Sequence, residues 1–202
     1  SGYGVIISNN ELATSVPSYA FQYITEITDI FLPDSITYIG RGAFQKCTSL
    51  KNILISKNVQ VFDRQCFSYT NLSEITVPNS ITAFKNGIFV GTPLQRFVYE
   101  GTLEDWCKIN FEVAATQYAS ESSNPMYYGA EKVYIDGKNI EGEVTMPAVL
   151  NKQCIVNNPL IHSIVIPDNA SQVQALAIYN CEALTKVQWN AVECQVTSYG
   201  DS

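Results

Sequence analysis

A single histidine, His162, six cysteines and one tight group of carboxylates are the side chains of this 202-residue chain best equipped for covalent chemistry. Catalysis by a Ser-His-Asp or Cys-His set needs an imidazole within hydrogen-bond reach of both a nucleophile and an orienting group. His162 stands between Ile161 and Ser163 at the start of a strand-like run, with no such partner beside it in sequence. It is expected on a strand edge or surface. Glu104, Asp105 and Glu112 invite comparison with glycoside hydrolysis, in which two carboxylates face each other across the scissile bond. Glu104 and Asp105 are neighbours on a short helix and point apart. Asp105, three residues after Thr102, is better placed to close a capping box. No phosphate-cradling loop exists either, because "YGVII" and "NGIFVG" lack the G-x-G-x-x-G spacing.

The cysteines at 47, 66, 107, 154, 181 and 194 include no C-x-x-C, and the closest pair is 13 residues apart. That spacing offers no zinc site, and neither a metal nor a cofactor is expected. Cys47 and Cys181 occupy one position of the repeat described next, and Cys66 and Cys154 share another. A cysteine at a repeat position is first a small buried hydrophobe. Free thiols are therefore expected, with Cys181–Cys194 the most feasible bridge because its loop is shortest.

The elements that carry these residues recur along the chain. "FLPDSITYIGRGAFQKCTSL" at 31–50 is rewritten as "TVPNSITAFKNGIFVGTPL" at 76–94 and as "VIPDNASQVQALAIYNCEAL" at 165–184. Phe21, Phe44, Phe67 and Phe89 follow one another at intervals of 23, 23 and 22, while Leu50, Leu72 and Leu94 keep step at 22. Pro33 and Pro78 lie two units apart, with Ser56 in the slot between them. Three markers moving together at 22–23 residues define an array of about six and a half units, each a strand and a return segment. In "LSEITVP" the apolar Ile75 and Val77 alternate with Glu74 and Thr76, the mark of a strand with one buried face. Pro78 ends the strand and Asn79-Ser80 turns the chain. No unit can hide its own side chains, so Phe44 is expected to stack on Phe67 and Phe67 on Phe89.

At "LPDSITYIGRGAFQKCTSLKNILI" the repeat resembles the BspA-like leucine-rich repeat, whose general form is Ile-Pro-x-x-Val-x-x-Ile-x-x-x-Ala-Phe-x-x-Cys-x-x-Leu-x-x-Ile. The likeness covers roughly 12–100 and 133–189. Departures occur at Cys66, Ile88 and Cys154, which replace the alanine, and at Ile155 and Ile178, which replace the phenylalanine. The resemblance implies a leucine-rich-repeat solenoid, a curved right-handed array with a parallel sheet on one face and short helices or irregular returns on the other. It also implies a bacterial cell-surface or secreted setting and a role in adhesion or protein binding. The chain opens on "SGYG", expected to be an internal boundary or a cloning scar, so the lack of a leader there does not bear on export.

One domain over 1–202 is expected, with repeats at about 5–100 and 133–190 and a small helical insertion at 101–132. In the insertion, "GTLEDWCKIN" predicts a helix of about two turns, and Pro125 is placed to open a second short one. Trp106, Ile109, Phe111 and Tyr128 are expected to plug a side of the solenoid, with the polar Gln117–Ser123 as a loop.

The remaining candidate is the outer face of the sheet. Alternation turns out Asp29 and Phe31, Asn52 and Leu54, Glu74 and Thr76, and Arg96 and Val98. The second block adds Glu143 and Thr145, Ser163 and Val165, and Lys186 and Gln188. Stacked, they make one mixed polar column and one apolar column in which Phe31, Leu54, Val98 and Val165 would form a stripe suited to a partner. The formal charge of −7 and pI near 4.7, without a basic cluster, exclude a nucleic-acid partner, since phosphate binding needs positive charge. No run of 18 apolar residues exists, so no insertion in a membrane is expected within this chain. The expected partner is an unidentified protein or glycan, host molecules included. The competing expectation is a structural spacer that presents another domain.

Overall fold

The computed structural model describes residues 3–6, 13–112, 123–128 and 132–197. The chain winds as a solenoid whose coils present three sides, and backbone hydrogen bonds join successive coils.

The first side is a parallel sheet face. Tyr3–Ile6, Ile27–Phe31 and Asn52–Leu54 form one ladder. Glu74–Val77, Arg96–Tyr99 and Lys132–Ile135 form a second, closed by the antiparallel Lys138–Asn139. Gly142–Thr145, Ile161–Ile166 and Lys186–Trp189 form a third. The expected alternation holds in Glu74–Val77, where Ile75 and Val77 are buried and Glu74 and Thr76 exposed. Pro33 and Pro78 then accept turn hydrogen bonds at their carbonyls from Ile36 and Ile81, at 3.0 and 3.3 Å.

The expected irregular returns resolve into two further ladders. On the second side Ser15–Val16, Tyr38–Ile39, Val61–Phe62, Ala83–Phe84 and Asn110–Phe111 pair in parallel, with Val16, Ile39, Phe62, Phe84 and Phe111 turned inward and buried. On the third, alternate amides of one coil donate to the next: Phe44 N–H to the Cys66 carbonyl at 2.9 Å, and Tyr69 N–H to the Val90 carbonyl at 2.7 Å. These turns use left-handed residues at Tyr19, Gly42, Gln65 and Gly87, and again at Tyr23, Lys46, Tyr69 and Gly91. Gly91 is required twice over. Its φ is +66, and a Cβ there would lie 2.4 Å from the Tyr69 ring of the preceding coil.

The phenylalanines line up as the period demands. Phe21–Phe44, Phe44–Phe67 and Phe67–Phe89 have ring centroids 5.4, 5.6 and 5.9 Å apart and planes within 8°, 7° and 12° of parallel. From the second side Phe62 meets Phe67 of this stack edge-on, and Phe84 meets Phe62 edge-on in turn. Cys66, Ile88, Cys154 and Ile155, which depart from the repeat pattern, are all fully buried.

The insertion begins as expected. Leu103–Lys108 is helical, and Thr102 and Asp105 form the capping box, with Asp105 N–H donating to Thr102 Oγ1 at 3.1 Å. Trp106 is buried among Phe84, Phe97, Tyr99 and Phe111, and its indole N–H donates to the Cys154 carbonyl at 2.7 Å. Pro125–Tyr128 forms a single 3-10 turn in place of a second α-helix. Of the expected loop Gln117–Ser123, residues 117–122 lie outside the described residues, and Ser123 is buried.

Candidate functional site

The carboxylates weighed for hydrolysis are each occupied elsewhere. Glu104 pairs with Lys108 at 2.6 Å and Asp105 caps the helix. Glu112 accepts from Arg64 at 2.6 and 3.1 Å and from the Asn86 N–H at 3.1 Å. His162 is exposed on its strand, and the six cysteines are thiols. Cys181 and Cys194, the most feasible bridge from sequence, instead point separately at the carbonyls of Tyr179 and Gln195.

The sheet face holds the columns that alternation indicated. In the polar column Asn52 Nδ2 donates to Asp29 Oδ1 at 2.7 Å, and Thr28 Oγ1 to Asp29 Oδ2 at 2.6 Å. These two bonds hold the Asp29 carboxyl below its ordinary value. Arg96 pairs with Glu74, and its guanidinium lies 4.7 Å from the centroid of the Tyr134 ring. Lys186 approaches Glu143 at 3.8 Å. Thr145 and Gln188 are exposed in the apolar column, paired through Val165.

Two expectations need correction. Ser163 keeps its place in the polar column, opposite Glu143 and Lys186, but is buried rather than exposed: its hydroxyl donates to Glu143 at 3.1 Å, and the Glu143 and Lys186 side chains approach within 3.8 Å over it. The apolar stripe is also discontinuous. Phe31 and Leu54 are 45% and 62% exposed, but Val98 and Val165 are half-buried, and the hairpin Lys132–Asn139 stands between them. Sequence reasoning missed Tyr134, which the register places beside Val98. The alternation in "KVYID" was the available signal.

The most distinctive feature is a split in the face. Asn52–Leu54 and Glu74–Val77 are successive coils, yet they share no ladder. Between the next two strands Arg96 N–H donates to the Ser73 carbonyl at 3.1 Å and Glu100 N–H to the Val77 carbonyl at 3.0 Å. Backbone groups alternate between the two edges of a strand. The N–H and C=O of Glu74 and Thr76 therefore face the split. Leu54 accepts from Leu32 at 3.1 Å on the opposite edge, so the backbone of Ile53 faces the split as well. The opening is a groove of about 490 Å³, walled by Phe31, Asn52, Leu54, Glu74 and Thr76 and floored by Ile53 and Ile75. Ile53 is half-buried, whereas Ile30, Ile75 and Phe97 in the same slot are buried. The groove thus combines apolar walls, carboxylate and amide side chains, and backbone donors and acceptors free of a ladder.

A stacked array of strand-and-return coils with an open parallel face defines the class: a leucine-rich-repeat solenoid. The chain belongs to the family described as the BspA type leucine rich repeat region, which matches in six copies over residues 5–115 and 145–201. Among solved structures it is similar to the T. pallidum leucine rich repeat protein, at 14% identity over 99% of this chain and 75% of that one, with a TM-score of 0.41. It is similar to a leucine-rich repeat protein from Eubacterium ventriosum, at 18% identity over 94% and 60%, with a TM-score of 0.44. It is also similar to a leucine rich cell surface protein from Faecalibacterium prausnitzii, at 20% identity over 55% and 35%, with a TM-score of 0.37. The chain thus spans about a third of the length of this last protein. No curated protein sequence matches it.

Proposed function

We propose that this chain is a non-enzymatic binding module of a bacterial cell-surface or secreted protein, and that it takes a protein or glycan partner on its sheet face at the split between Asn52–Leu54 and Glu74–Val77. The observation that carries this reading is the groove itself. Exposed Phe31 and Leu54 stand there beside strand edges whose polar groups have no ladder partner. Apolar side chains exposed together with orienting polar groups are the usual ingredients of a recognition site. The acidic balance of the chain disfavours nucleic acid. Family membership supports the surface setting, and among the described residues no helix is long and apolar enough to cross a membrane.

The test is capture from mucosal and matrix protein extracts and from a glycan array by the purified chain, compared with a Phe31→Glu, Leu54→Glu double variant. Capture by the parent and loss in the folded variant support the reading. Undiminished capture by the variant places binding elsewhere. No capture by either favours the spacer role.

A further inference from the structure

Cys107 and Cys154 are 47 residues apart in sequence and belong to different kinds of element, a helix in the insertion and a coil return. Two hydrogen bonds nevertheless clamp their backbones together. The indole of Trp106, next to Cys107, donates to the Cys154 carbonyl at 2.7 Å. The Asn151 N–H, three residues before Cys154, donates to the Cys107 carbonyl at 2.9 Å. Both thiols are fully buried beside these clamped backbones, the Cys107 thiol has the Cys154 side chain as its neighbour, and the Cys154 thiol also reaches the Ala177 carbonyl at 3.4 Å. The other cysteines lack such a clamp to a second cysteine: Cys47 and Cys66 are buried in the earlier coils, and Cys181 and Cys194 are partly exposed.

We infer that Cys107 and Cys154 form a disulfide when the protein folds in the presence of a small-molecule disulfide, covalently tying the inserted helix to the following coil. One thiolate attacks the oxidant, breaking its S–S bond, releasing one thiol and leaving a mixed disulfide. The second thiolate attacks the mixed disulfide, forms the Cys107–Cys154 bond and releases the other thiol. Two protons leave the cysteines, and their two electrons reduce the oxidant. In the folded protein the contact with Cys154 and burial push the Cys107 thiol well above its ordinary range. The thiolate needed for exchange is therefore suppressed once the core has closed. The bridge forms while the helix is still docking. It would stabilise the fold across the region in which the repeat is interrupted, because a cross-link between distant residues restricts the unfolded chain most.

The experiment is refolding of the full chain in oxidised and reduced glutathione, followed by alkylation under denaturing conditions and peptide mass spectrometry. The expected product has four alkylated cysteines of six and a cross-linked peptide pair containing Cys107 and Cys154. Its thermal midpoint is higher than that of the reduced protein. A Cys107→Ala, Cys154→Ala variant shows no oxidant-dependent shift. Six alkylated cysteines, or cross-links joining only other cysteines such as Cys154 with Cys181, would overturn the inference. Since the cross-link is read directly on the parent chain, a poorly folding variant leaves the test intact, and its outcome is independent of whether the sheet face binds a partner.

Discussion

The Phe44 and Phe67 rings lie 5.6 Å apart and within 7° of parallel although 23 residues separate them in sequence. That relationship repeats from Phe21 to Phe89 and is the physical meaning of the period. Each ring is covered above and below only because a neighbouring coil supplies the cover.

Phe67 has a ring on both sides and meets Phe62 edge-on, so Phe67→Ala leaves a cavity that no single coil can collapse. The expected cost is about 3–5 kcal/mol, read from denaturant unfolding. Phe21, half-buried at the start of the stack, should cost less when truncated in the same way. Equal costs would contradict the stacked core.

Trp106→Phe removes the only indole donor to the Cys154 carbonyl among the described residues and leaves that buried acceptor unpaired. A loss of about 1–3 kcal/mol is expected in the same assay. Trp189 is 47% exposed. Trp189→Phe should therefore abolish acrylamide-quenchable fluorescence while the protected signal of Trp106 persists.

Acid sensitivity follows from Glu112. The Arg64 hydrogen bonds, aided by the Asn86 N–H, hold its carboxyl below the ordinary 4.5, against the opposing effect of burial. A carboxyl with a depressed folded value contributes stability that is present above its unfolded value and lost as pH falls through the folded one. Stability should therefore begin to decline below about pH 4.5, and Glu112→Gln should flatten that decline. Thermal midpoints between pH 3 and 6, about the range spanned by ordinary carboxyl titration, provide the measurement.

The groove walls tolerate change because they contribute little to the core. Phe31→Glu and Leu54→Glu should each shift stability by no more than about 0.5 kcal/mol. Circular dichroism melts check this directly. A large loss would mean that Phe31 and Leu54 are packed rather than presented.

Much of this was legible in the sequence because periodicity encodes it. The spacing of Phe21, Phe44, Phe67 and Phe89 placed the ring stack, Glu74 to Val77 declared the two faces of a strand, and Thr102 with Asp105 marked the start of the helix. The split was not legible, since Asn52–Leu54 and Glu74–Val77 carry ordinary strand patterns, and pairing is a property of two strands rather than one. Ser163 lies on the face that alternation assigns, but the longer Glu143 and Lys186 side chains on either side close over it, and a count along one strand does not register its neighbours' reach. The juxtaposition of Cys107 and Cys154 depends on how the inserted helix docks, which no repeat position records. Tyr134 was legible in the alternation of "KVYID", but its place beside Val98 depends on which strand Lys132–Ile135 pairs with across the insertion.

Amide hydrogen exchange at the split tests the central claim most directly. Glu74 and Thr76 face an edge without a ladder, while Arg96, the equivalent of Glu74 one coil on, donates to Ser73 at 3.1 Å. The Glu74 and Thr76 amides should exchange much faster than those of Arg96 and Val98, and a captured partner should slow them selectively. Equal protection in the free protein, or protection by the partner confined to other surfaces, would contradict the account.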